Sequence, residues 1–70
     1  SIAAARAVDG SRAAIFVSHG GLLQVNAGTL RKGLIAQWFD PLTGARQAAT
    51  ARGDGVFAPP SKADWVLILE

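Results

Sequence analysis

One run constrains the fold more than any other: Leu34-Ile35-Ala36-Gln37-Trp38-Phe39, followed without a break by Asp40-Pro41-Leu42-Thr43-Gly44. Bulky and aromatic residues in series favour an extended chain packed on a pleated surface. The segment after them is built to reverse direction. Asp hydrogen-bonds backbone amides ahead of it, Pro presets φ near −65°, and Gly supplies the positive φ with which the chain leaves the corner. The run predicts a central strand over 34–39 that ends in a tight turn. Consecutive strand residues point to opposite faces, so Trp38 and Phe39 cannot both enter one core. Leu34, Ala36 and Trp38 share one face, and Ile35, Gln37 and Phe39 the other. Gln37 marks the wetter face, which puts Trp38 inside and Phe39 outside.

The remaining segments read as strands gathered around this one. Ile2 to Val8 and Arg12 to Val17 flank Asp9-Gly10, a pair suited to a type I′ hairpin turn. Such a hairpin sets Arg6 opposite Ala13 and Ala4 opposite Ile15. It predicts a buried face with Ile15 and Val17, leaving Phe16 on the other. The Ala-rich first segment also suits a helix end, but Asp-Gly and the β-branched partner run favour strands. Ser18-His19-Gly20-Gly21 is the next reversal, and Leu22 to Val25 a short strand. A glycine-punctuated loop over 26–33 follows, with Leu30 as an inward anchor. Ala45 to Arg52 is a weakly patterned strand, and Gly53-Asp54-Gly55 a turn. Val56-Phe57-Ala58 leads into Pro59-Pro60, whose missing N–H groups forbid a central strand. Asp64 to Leu69 is a nearly unbroken apolar run suited to a strand covered on both faces. Strands at intervals of roughly ten residues with turns between them indicate an all-β fold, a small antiparallel β-sandwich.

Composition narrows the function. Seventy residues make one small domain. With no cysteine, neither a disulfide framework nor a Cys-rich zinc site reinforces it, so its stability margin should be thin. The net charge is +2, but the basic residues are scattered and only Arg31 and Lys32 adjoin. Nucleic-acid binding calls for a basic patch or stripe. No apolar run approaches the roughly 18 residues of a membrane span. Neither nucleic acid nor membrane is therefore an expected partner. The start at Ser1 without Met leads us to expect a piece of a longer protein.

Four blocks lie in order along the chain: Arg6 with Asp9-Gly10; Trp38-Phe39-Asp40-Pro41, then Thr43-Gly44; Phe57 with Pro59-Pro60; and Asp64-Trp65-Val66-Leu67. In this order they resemble the family called the putative collagen-binding domain of a collagenase, over nearly the whole chain. That resemblance implies a β-sandwich at the C-terminus of bacterial glycoside hydrolases, behind a TIM-barrel catalytic domain of apiosidase-like or cellulase-like kind. It therefore implies residues 1–70 as a single accessory domain of a secreted, extracellular or periplasmic enzyme. The expected work is weak binding of a polysaccharide. Structural support of the catalytic barrel is the alternative, and collagen binding a second one.

The candidate chemistry is that of binding. Glycoside hydrolysis generally needs two carboxylates facing each other across the bond. Most of the five acids, Asp9, Asp40, Asp54, Asp64 and Glu70, sit in or beside turn signals, where a carboxylate caps amides. The one histidine, His19, lies in a turn, and Ser18 beside it points the other way on an extended chain. No catalytic pair, no cofactor and no metal are expected. Asp54 with Asp9 or Asp40 offers oxygen ligands for calcium, but no Asp-x-Asp-x-Asp run supports it. Carbohydrate is held by stacking on flat rings, so the candidate carbohydrate-binding residues are Phe39, Trp38, Trp65 and Arg6. Each has a plainer reading. Trp65 packs, with its indole N–H bonded near a turn; Trp38 fills the core; Phe39 docks on the catalytic domain; Arg6 pairs with a turn Asp rather than a uronate.

Overall fold

The computed structural model describes residues 2–5, 12–25, 33–52 and 55–70, the first of these segments by its backbone pairing. The strands are β1 (Ile2–Ala5), β2 (Ala13–Val17), β3 (Leu22–Val25), β4 (Ala36–Phe39), β5 (Arg46–Ala48), β6 (Val56–Phe57) and β7 (Trp65–Leu69). Among the described residues there is no helix. The strands form two sheets, a three-stranded one in the order β1-β3-β6 and a four-stranded one in the order β2-β7-β4-β5. The fold is all-β and sandwich-like, as the turn spacing implies. The four-stranded sheet is antiparallel throughout, and β3 pairs antiparallel with β6.

The first hairpin is a correction. β1 does not pair with β2. It lies parallel to β3 in the three-stranded sheet, while β2 pairs with β7, setting Ile15 across from Leu67 and Val17 across from Trp65. Cross-strand side-chain pairs are the unit of sheet stability. A local hairpin would have set Ala4 against Ile15 and Ile2 against Val17, whereas β7 offers the bulkier Leu67 and Trp65 at those positions. Asp9-Gly10, Arg6, Leu30, Asp54 and their predicted roles lie outside the described residues.

Elsewhere the elements follow the local chemistry. At Ser18-His19-Gly20-Gly21, His19 (φ 56°) and Gly20 (φ 73°) occupy the left-handed region, and the Gly21 amide donates to the Ser18 carbonyl at 3.2 Å. That is type I′ geometry, here used to carry the chain from one sheet to the other. β4 is shorter than the predicted strand, but its ladder continues. Ile35 N donates to Glu70 O at 2.8 Å, and Glu70 N to Ile35 O at 3.1 Å. The chain changes sheet at every connection except β4–β5.

The core lies between the sheets, where Ile15, Val17, Leu23, Val25, Trp38, Phe57, Trp65, Leu67 and Leu69 form one buried cluster. The Trp38 ring meets Phe57 edge-on at 6.4 Å between centroids and Trp65 at 6.5 Å. Such T-shaped contacts suit the ring quadrupoles, and the first joins the two sheets. β7 alternates buried and half-buried residues, so one face of this strand is only partly covered. The prediction of cover on both faces is corrected accordingly: its outward side chains, Val66 and Ile68, help form an open surface.

Candidate binding face of the four-stranded sheet

Register builds the surface. In β4, Trp38 turns inward and Phe39 outward, as alternation beside Gln37 predicts. Phe39 pairs across the sheet with Val66 on one side and Arg46 on the other, and Val66 pairs with Phe16. A single cross-strand row on the outer face therefore reads Phe16, Val66, Phe39, Arg46. The next row reads Ala14, Ile68, Gln37, Ala48. Phe16 is 58% exposed and Phe39 half-buried, and Ile35 adds an exposed aliphatic further along β4's leading residues. Adjacent strands lie 4.7–4.9 Å apart, so the two phenylalanines stand about 10 Å apart at their backbones, either side of Val66.

The turn after Phe39 positions Arg46. Asp40 Oδ1 accepts from the Leu42 amide at 2.8 Å, and the Gly44 amide donates to the Asp40 carbonyl at 2.8 Å. Gly44 takes φ 79°, which a side chain would strain. Asp40 N donates to Ala45 O at 2.9 Å, and Thr43 Oγ1 accepts from Ala45 N at 3.1 Å. This closed corner starts β5 in register, so Arg46 lands opposite Phe39. Its guanidinium carbon sits 5.7 Å from the Phe39 ring centroid, and Nη1 donates to Gln37 Oε1 at 3.3 Å. The first contact is within cation–π range. Leu42 projects from the tip, exposed.

The candidate residues are thus separated. Trp38 is 3% exposed and Trp65 8%, so neither presents an open ring face for stacking. Trp65 also anchors a turn, its indole Nε1 donating to Ser61 Oγ at 3.0 Å. Arg6 lies outside the described residues. Phe39 is the member of that set on the outer face, and its neighbours there are Phe16, Gln37 and Arg46. Phe16 could have been placed by its alternation with Ile15 and Val17. Arg46 could have been placed by closing the hairpin at Asp40 and Ala45. What the sequence did not carry is the β2–β7–β4 order that sets both phenylalanines in one row.

The arrangement offers contact chemistry. Asp40 is engaged in its turn, and Glu70 lies at the end of β7 with its backbone paired to Ile35. Among the described residues no three His, Asp or Glu side chains gather into a metal-binding group. Fold and surface together define a small all-β module with an open, largely apolar sheet face. The family model described as "Putative collagen-binding domain of a collagenase" matches residues 1–70, and the chain belongs to that family. No curated protein matches it significantly, and no solved structure does.

Proposed function

We propose that this chain is a non-catalytic accessory module of a secreted bacterial glycoside hydrolase, and that it holds carbohydrate weakly on the outer face of the four-stranded sheet. The observation that carries this reading is the row Phe16, Val66, Phe39, Arg46, with Gln37 beside it. Pyranose rings bring an apolar face that stacks on a flat ring and hydroxyls that need polar partners nearby. The row supplies both kinds of group. A flat face with few rings supports only a modest affinity. A Kd of roughly 100 μM corresponds to about −5.5 kcal/mol. Calorimetric titration of the chain against a panel of polysaccharides tests this, with Phe39→Ala and Phe16→Ala as controls. Flat titrations against every glycan remove the idea.

A second reading is favoured by the aliphatic residues Ile35, Val66 and Ile68 on this face, which have no polar role toward a sugar. Such a patch suits another protein surface, in this case the catalytic barrel of the parent enzyme. The module would then stabilise the barrel, and deleting it would lower the parent's unfolding temperature without any loss of glycan affinity. The family description adds collagen as a ligand. Failure to cosediment with collagen fibrils would exclude it.

A further inference from the structure

We infer that the carbohydrate taken by this face is an acidic one, with a uronate carboxylate held by Arg46; this rests on the carbohydrate reading above. Arg46 lies on the outermost strand of the sheet, and its described contacts are the Phe39 ring and Gln37 Oε1. Neither contact neutralises its charge. A guanidinium carries five donors in a planar fork that matches a carboxylate bidentately, and the bond to Gln37 engages one nitrogen.

No acid of the described face fills the role. Asp40 uses Oδ1 on the Leu42 amide. Glu70 lies two strands and four residues away by register. At 3.3 Å per residue and about 4.8 Å per strand that is roughly 16 Å, beyond the screening length of physiological salt. The same register, extended by one residue, sets Arg12 across from Glu70. Among the described residues, Arg46 is thus a cation of this face whose described contacts include no carboxylate, and it sits beside a phenyl ring. A neutral sugar stacked there would shield the guanidinium from water without giving it an anion. A hexuronate carries its carboxylate at the rim of a ring whose face is apolar, so one residue can meet Phe39 and Arg46 together.

The test uses the full chain and four probes: polygalacturonate, the same polymer after carboxyl reduction, a neutral glucomannan, and poly-L-glutamate. We expect polygalacturonate to bind at least about tenfold more tightly than its reduced form, the scale of a charge-assisted hydrogen bond. Binding should weaken as sodium chloride rises to about 0.3 M. Arg46→Gln, on an exposed strand, should keep the fold by circular dichroism and erase the preference. Equal binding of the reduced polymer or the glucomannan overturns the acidic class while leaving carbohydrate binding intact. A preference that survives Arg46→Gln overturns the assignment to Arg46. Equal binding of poly-L-glutamate overturns the sugar in favour of an acidic protein surface. Binding to none of the four overturns the carbohydrate reading itself.

Discussion

Replacing Ser61 by Ala isolates the contribution of one hydroxyl to the strength of the sandwich. Ser61 Oγ accepts from Trp65 Nε1 at 3.0 Å and from the Ala63 amide at 3.2 Å. The two bonds differ in what replaces them. The Ala63 bond is exposed, so water takes over and little is lost. The indole nitrogen belongs to a side chain that is 8% exposed, and a buried donor left unmade costs about 1–3 kcal/mol. Because this site is only partly closed to water, we expect about 1.5 kcal/mol for Ser61→Ala. In a domain of this size that lowers Tm by roughly 6–12 °C. Chemical denaturation should show a lower midpoint with unchanged slope. Trp65→Phe removes the donor, so in that background Ser61→Ala should cost less than about 0.5 kcal/mol. If the serine substitution costs the same in both backgrounds, the indole bond is not what Ser61 contributes, and the argument fails.

Leu67 is fully buried opposite Ile15 and Trp38, and Leu67→Ala should cost about 3–5 kcal/mol, enough to leave a small domain largely unfolded by circular dichroism. Gly20→Ala combines φ 73° with a Cβ placed 3.2 Å from Lys62 Cγ and 3.3 Å from Lys62 Cα. Gly44→Ala has similar strain at φ 79° but open space around it. Left-handed strain alone is worth about 1–2 kcal/mol, so thermal melts should rank Gly20→Ala as the more damaging, and the reverse order would contradict the packing of Lys62 on that turn. Phe16→Ser removes an exposed ring and should change stability by no more than about 0.5 kcal/mol, measured by the same denaturation, while diminishing any ligand affinity of the face.

Local signals were legible wherever the deciding interaction is local. Asp40-Pro41-Leu42-Thr43-Gly44 carries its own hydrogen bonds, so the β4–β5 corner could be read from five residues. Gln37 revealed which way Trp38 and Phe39 point because alternation along one strand needs no partner. The indole bond of Trp65 near a turn was likewise legible, since a buried N–H requires an acceptor. Pairing between distant strands was not. Asp9-Gly10 signals a hairpin by its backbone preferences, yet whether β1 binds β2 depends on what else β2 can bind, and β7 lies some fifty residues further on. The candidate face inherits the same limit. Phe39 could be nominated from its own strand and Arg46 from the corner that follows it, but Phe16 joins them only through the β2–β7 and β4–β7 registers.

The place of β7 in its sheet also governs when the molecule can assemble. It runs between β2 and β4 although it is made after every other described strand. During synthesis β2 and the β4–β5 hairpin therefore emerge with their pairing edges bare, and they stay so until Trp65–Leu69 arrives. Unpaired edges of this kind are where chains associate wrongly. Among the described strand pairs, only β4–β5 joins strands close in sequence, and each of the others must bring together strands well separated along the chain. Refolding should accordingly be slow for a chain this short, in the millisecond-to-second range of non-local β topologies rather than the microseconds of helical bundles.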